Sequence, residues 1–125
     1  MYFHDYNTSY IPSIPVVEIA ISEARGTPGI ELVGLIDSGA DATIIPLLYL
    51  EQIGALPMDN GWLRSATGER HHVQLFEIYL RIGEFGQYIS VIADVFSGEA
   101  VIGRDILNHY VVTLDGTGST VTISA

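Results

Sequence analysis

Short apolar runs, broken by glycine, proline or charge, follow one another along the whole chain, and many of their residues are β-branched. Tyr10 to Ser22 reads as extended, with Pro12 and Pro15 fixing its start and Val16, Val17, Ile19 and Ile21 following. Gly26-Thr27-Pro28-Gly29 is a turn, and Ile30 to Ile36 is a second strand that runs into Asp37-Ser38-Gly39. Pro46 to Ile53 predicts a short helix, with proline in its first turn and Gly54 behind its last. Asp59-Asn60-Gly61 predicts a turn. Trp62 to Ala66 and His72 to Ile82 are the expected arms of a hairpin around Thr67-Gly68-Glu69-Arg70. Gln87 to Phe96 is another strand, Ser97-Gly98-Glu99 a turn, and Arg104 to His109 one helical turn. Val111 to Leu114 and Thr120 to Ser124 close the chain around Asp115-Gly116-Thr117-Gly118. The expectation is one all-β domain with one or two short helices.

Composition sharpens this picture. Hydrophobic residues make up 48% of the 125 positions and charged residues 16%, with a mean hydropathy of +0.34; an ordinary soluble domain carries roughly 25% charged residues. The surplus apolar surface needs a destination, and a buried subunit interface is the simplest. A membrane is the competing one, but no run approaches the roughly 20 apolar residues of a spanning helix. Met1-Tyr2-Phe3-His4-Asp5-Tyr6-Asn7 lacks the basic segment and apolar run of a signal peptide. A cytoplasmic location is therefore expected. Net charge is −10, with five arginines and no lysine, which excludes the basic clusters that nucleic acid requires. The absence of cysteine excludes disulfides and thiolate chemistry. His4, His71, His72 and His109 do not form a metal-ligating pattern, because neighbours on a strand point to opposite faces. No metal or cofactor is expected.

Chemistry concentrates in Leu35-Ile36-Asp37-Ser38-Gly39-Ala40-Asp41-Ala42-Thr43-Ile44-Ile45-Pro46. A carboxylate follows an apolar strand, where desolvation is expected, and Gly39 permits a tight turn with exposed N–H groups. Taken alone, an acid at this position is usually a turn or cap residue. A second segment, Ala100-Val101-Ile102-Gly103-Arg104-Asp105-Ile106-Leu107, reads alone as a buried strand ending in a helix cap.

Together and in this order, the two segments resemble the retropepsin family of aspartic proteases. The first is similar to the family's Asp-Thr/Ser-Gly-Ala signature. The second is similar to its apolar-apolar-Gly-Arg motif, and the intervening hairpin sits where the family has its flap. The resemblance spans roughly Pro15 to Ile123, so that 1–13 reads as an N-terminal extension and 14–125 as the protease-like domain. It implies an acid-protease barrel that forms a C2 homodimer. Asp37 would be the catalytic carboxylate, and Ser38 would hold the paired active-site loops together. Gly39 would offer its carbonyl to substrate, with Ala40, Asp41 and Ala42 beside it. Arg104 would brace Asp41 by ion pairing, and its removal by Arg104→Ala would cost roughly 3–5 kcal/mol if the pair were fully buried. Thr67, Gly68 and Glu69 would form the flap tip, and Leu35, Ile44 and Val101 would line side-chain pockets. Period-two alternation independently puts Leu35 on one strand face with Asp37. The sequence departs from the family in its flap, where Gly68 is followed by Glu69-Arg70-His71-His72, and in Ser38, which keeps the hydroxyl of the commoner threonine.

Leu114-Asp115-Gly116-Thr117-Gly118 is a decoy: its order is Asp-Gly-Thr, and Asp-Gly favours a hairpin turn. The chain thus supplies one signature carboxylate, while this hydrolysis needs two that share a proton. A symmetric dimer supplies the second. Thr120 to Ser124 is the candidate strand for an intersubunit sheet, on the expectation that its edge is unpaired. The function expected is an aspartic endopeptidase cutting peptide or protein substrates. The competing readings are a non-catalytic dimerisation or peptide-binding module that keeps the fold, and a structural β-domain with chance motif matches.

Overall fold

In the computed structural model the description covers residues 1–64 and 67–125, with the side chains of 59, 63, 64 and 71 left aside. Ser65 and Ala66, expected in the first hairpin arm, lie outside the described residues. The strands are β1 (Tyr2–Asp5), β2 (Val16–Ser22), β3 (Gly29–Ile36), β4 (Ile44–Pro46), β5 (Pro57–Arg64), β6 (Arg70–Ile82), β7 (Phe85–Asp94), β8 (Ala100–Ile102), β9 (Val111–Asp115) and β10 (Thr120–Ser124). Two short helices, α1 (Leu47–Gln52) and α2 (Arg104–Leu107), complete the described elements.

Six strands close into a barrel in the order β2-β3-β8-β4-β7-β6, because β6 returns to pair with β2. The alternating apolar residues of these strands fill it. Val17, Ile19 and Ile21 of β2 meet Ile78, Leu80 and Ile82 of β6, all at 1% exposure or less. Closure hides ladder edges that would otherwise be free. β5 attaches outside the ring to β6, and the two arms pair as far out as Arg64 and Arg70. This is the expected hairpin, with Thr67, Gly68 and Glu69 at its tip. Gly68 has φ +89°, a conformation that glycine adopts without a Cβ penalty.

The helices fall where proline and glycine punctuate the chain. Pro46 precedes the first helical residue, and Gly54, at φ +72°, follows the last turn of α1. One expected turn is not one: Asp59-Asn60-Gly61 lies inside β5. The thirteen-residue β6 offers a ladder long enough to hold it, and an irregular register between Pro57 and Asn60 absorbs the mismatch.

The terminal strands also differ from expectation. Thr120–Ser124 is a strand, but its edges are not free. β10 is the middle of a three-stranded sheet, β1-β10-β9, with Tyr2–Asp5 on one side and Val111–Asp115 on the other. The edge available to another strand on this side of β10 therefore belongs to β9. Alternation explains the arrangement, since Val121 and Ile123 point into the core and are fully buried, which a central position satisfies best.

Asp115-Gly116-Thr117-Gly118 is the hairpin turn that the residue order implied. Its Asp115 carboxylate accepts the Gly118 N–H at 2.9 Å and the Thr117 hydroxyl at 3.0 Å. These bonds favour the ionised form and lower its pKa from the usual 3.8. A lowered folded-state pKa adds stability that is complete above the unfolded value and lost as pH falls through the folded one. Asp115→Asn is expected to lower the urea midpoint at pH 7, and the difference from the parent should shrink as pH drops below 3.8. A pH-independent difference in paired urea titrations would show that ionisation at this turn is uncoupled from folding.

Candidate active site

Asp37 stands one residue beyond the end of β3, where the chain must leave the barrel. Its backbone N–H donates to the Ile102 carbonyl at 3.0 Å, extending the parallel β3–β8 pairing of Ile36 with Ile102. The Ala40 N–H returns to the Asp37 carbonyl at 3.2 Å, closing a turn over Ser38 and Gly39. The Gly39 N–H donates to the Asp37 carboxylate at 2.9 Å. The carboxylate is thus oriented by its own turn. It is not desolvated within one chain, contrary to the expectation from its apolar strand: Asp37, Ser38 and Gly39 are all exposed. Ile30, Leu32 and Ile36 of β3 pack on the core, Val33 on the opposite face is 50% exposed, and the turn rises beyond the strand.

The second motif packs directly beneath this turn. The Arg104 N–H donates to the Ala40 carbonyl at 2.9 Å, and the Arg104 guanidinium donates to the Ser38 carbonyl at 2.9 Å. The guanidinium also pairs with the Asp41 carboxylate, the partner the resemblance implied. The pair is open to water, with side-chain exposures of 43% and 71%. It therefore belongs with surface ion pairs, worth about 0.2–1 kcal/mol, and not with buried ones. Gly103 is required by space. A Cβ there would lie 2.7 Å from the Ala42 carbonyl carbon and oxygen.

Two residues in this contact were not singled out from the sequence. Thr43 is fully buried, and its hydroxyl accepts the Gly103 N–H at 3.1 Å while donating to the Asp105 carboxylate at 2.7 Å. The other oxygen of Asp105 accepts the Thr43 N–H at 2.9 Å. Their signal was a lone hydroxyl inside the run Ala42-Thr43-Ile44-Ile45, since a polar group among apolar ones must find a partner when buried. The sequence alone did not say which partner.

The expected pocket residues fall into one row. Leu35 pairs with Val101 across β3–β8, and Ile44 pairs with Val101 across β4–β8. Facing residues share a sheet face, so the row flanks Asp37, and all three are half-buried. Ile44 further lines a cleft of about 530 Å³ with Leu47, Ile92, Val95 and Phe96 on one side and His72 and Val73 of the hairpin arm on the other. Leu35 opens instead toward Tyr10, Tyr49 and Glu99. The hairpin arm is stiffened by Trp62, whose ring takes Arg70 on its face at 4.9 Å and His72 against its edge at 5.3 Å. Ala40 and Ala42 are half-buried in the turn, and Thr67, Gly68 and Glu69 are exposed at the hairpin tip.

A family model described as retroviral aspartyl protease matches residues 12–115. The chain belongs to the retroviral aspartyl protease family. No curated protein matches. Among solved structures, this retropepsin-like chain is similar to the EIAV protease in complex with the inhibitor HBY-793, at 14% identity, with TM-score 0.59 over 77% of this chain and 86% of that one. It is similar to the simian foamy virus (mac) protease at 18% identity, with TM-score 0.53 over 74% and 91%. A retropepsin-like aspartic protease from Rickettsia conorii aligns at 14% identity and TM-score 0.54, over 90% of this chain and 97% of that one. At these identities the likeness is one of fold, and it agrees with the retropepsin-like barrel described above. Among the described residues, no helix is long and apolar enough to cross a membrane.

The geometry ranks two substitutions. Thr43→Val leaves the Gly103 N–H and the Asp105 carboxylate without a shared partner, and is expected to cost about 1–3 kcal/mol. Arg104→Ala breaks an exposed ion pair and one hydrogen bond and should cost less. Urea midpoints of the two variants check the order. A larger loss for Arg104→Ala would mean that the guanidinium, and not the buried hydroxyl, holds the turn.

Proposed function

We propose that this chain is an aspartic endopeptidase that works as a homodimer, with Asp37 of each subunit forming the catalytic pair. The observation that carries the reading is the exposed Asp37 carboxylate. It stands on a turn pinned to Ile102, Ala40 and Arg104, in a chain that provides one such signature. Membership of the family supports the chemistry, and the single carboxylate supports the dimer.

Two carboxylates in contact cannot both ionise cheaply, so one proton is shared between them. The ionised member takes a proton from a water molecule, whose oxygen bonds to the peptide carbonyl carbon. The protonated member gives its proton to the carbonyl oxygen. The tetrahedral diol then collapses: a carboxyl proton passes to the amide nitrogen, the C–N bond breaks to release the amine, and a hydroxyl of the diol gives its proton to the carboxylate pair as the new carboxylic acid forms, which restores the shared-proton state. Ser38 would bridge the two turns, and Gly39 would present its carbonyl to the substrate backbone. Asp41, held by Arg104, would support that backbone at the cleft edge. The tip residues Thr67, Gly68 and Glu69 would close over it. Leu35, Ile44 and Val101 favour apolar substrate side chains next to the scissile bond.

Cleavage of a peptide library is the deciding measurement. The parent is expected to cut, and Asp37→Asn, which cannot share the proton, is expected to fall to background at every pH. Full activity in that variant would sink the aspartic mechanism. Binding of peptides without cleavage would assign the chain to a non-catalytic peptide-binding module instead. Activity should peak in acid and decline as the pair loses its shared proton. The same decline should persist in His71→Gln/His72→Gln; its disappearance there would assign that limb to the hairpin histidines.

A further inference from the structure

The row Leu35, Val101 and Ile44 is apolar throughout, but the concavity beside its Leu35 end is not. Val33 and Leu35 share a strand face with Asp37, and Leu35 lies roughly 6.5 Å of strand before it. Across the parallel β3–β8 pairing Val101 stands beside Leu35, and Glu99 precedes Val101 by two residues, on that same face. Leu35, Tyr10, Tyr49 and Glu99 meet around a space of about 250 Å³. Among the described residues, no arginine or histidine lines it. The one formal charge on its walls is therefore the Glu99 carboxylate.

Two loops hold that carboxylate. On its own side, the Glu99 N–H donates to the Ser97 hydroxyl at 3.1 Å, and the Asp94 carboxylate accepts the N–H groups of Phe96 at 2.9 Å and Ser97 at 3.0 Å. The turn before β8 is thus tied by its own side chains. On the other side, residues 7–14 form a loop closed by the Asn7–Ile14 backbone bonds at 2.9 and 3.2 Å. This loop carries Tyr10, whose hydroxyl donates to Oε1 of Glu99. That bond to the carboxylate raises the Tyr10 pKa above its usual 10.0, so the phenol is a neutral donor. A neutral donor orients Glu99 and leaves its negative charge uncompensated.

We infer that Glu99 makes this concavity a site for a cationic side chain, so that bound peptides carry lysine or arginine beside the scissile bond. The inference rests on the peptidase reading above and deepens it by naming a substrate class. The aliphatic stem of such a residue would run along Val33 and Leu35. Its charged end would reach Glu99 between the tyrosines, whose rings also attract cations. Selection comes from what other side chains would do there. An apolar residue would cover the carboxylate without a counter-charge, which is costly, and an acidic one would meet a like charge. The cleft on the Ile44 side is walled by Leu47, Ile92, Val95 and Phe96 and stays the apolar one. The two ends of the row thus read different residues.

Peptides that differ at one residue beside the scissile bond, arginine, norleucine or glutamate, test this. The parent is expected to favour arginine over norleucine by about tenfold in kcat/KM, with glutamate last. Glu99→Gln keeps an acceptor for Tyr10 but no charge, and should lose the preference for arginine. Glu99→Arg should turn it toward glutamate. Tyr10→Phe should keep it, because the charge remains. Equal or better cleavage of the norleucine peptide by the parent overturns the inference. So does an arginine preference that survives in Glu99→Gln, or one that is lost in Tyr10→Phe alone, which would make the contact a structural strap. Fluorescence anisotropy of the same peptides with Asp37→Asn separates this site from the chemistry. Arginine-selective binding that Glu99→Gln abolishes, in a chain whose parent cuts nothing, supports the site and removes the peptidase reading. Cleavage indifferent to the three residues removes the site and leaves the peptidase reading standing.

Discussion

Thr43, Gly103 and Asp105 tie together two loops that lie sixty residues apart in the chain. The tie has little slack. Its hydroxyl is both donor and acceptor, Gly103 has no room for a methyl group, and the Thr43 N–H takes the remaining carboxylate oxygen. A buried polar network is stable only when every member is satisfied, and among the described residues no buried side-chain polar atom lacks a partner. Because Ala40 and Ser38 hang from Arg104, and Asp37 from Ile102, the position of the Asp37 carboxylate is inherited from this tie. The Arg104–Asp41 ion pair, in contrast, is a brace on the solvent side.

The barrel serves this contact by bringing β3 and β8 side by side in parallel. Parallel neighbours cannot be joined by a tight turn, and the long connection between them holds α1, the β5–β6 hairpin and β7. The hairpin that reaches toward the cleft is therefore part of the same route that returns the chain to the Asp37 turn. Its outer arm, β5, stands outside the closed ring, where the Trp62–Arg70–His72 cluster stiffens it without help from the core.

The proposed pairing of Asp37 across two chains has consequences for the surface. Association of two chains each carrying −10 is opposed over most of their surface, and apolar residues left open to water are where that opposition would be offset. Some of them are half-buried in the row Leu35, Val101 and Ile44, and others lie bare at Val111 and Leu114.

The residues of the chain alone determined the strands whose apolar pattern and flanking turns agree, such as β3, β6 and β10, and the helix α1 between Pro46 and Gly54. They also made the two motifs legible, since Asp37-Ser38-Gly39 and Gly103-Arg104 are local patterns whose chemistry travels with them. Strand partners were not legible. Thr120–Ser124 was correctly a strand, but only the folded chain put Tyr2–Asp5 against it and moved the open edge to Val111–Asp115. Asp59-Asn60-Gly61 carried turn chemistry, and the long ladder of β6 overrode it. The exposure of Asp37 and of the Asp41–Arg104 pair was likewise decided in three dimensions. Local sequence fixes which backbone conformations and side-chain chemistries are available, but hydrogen-bond partners and solvent exposure depend on segments far apart in the chain, and only packing brings those segments together.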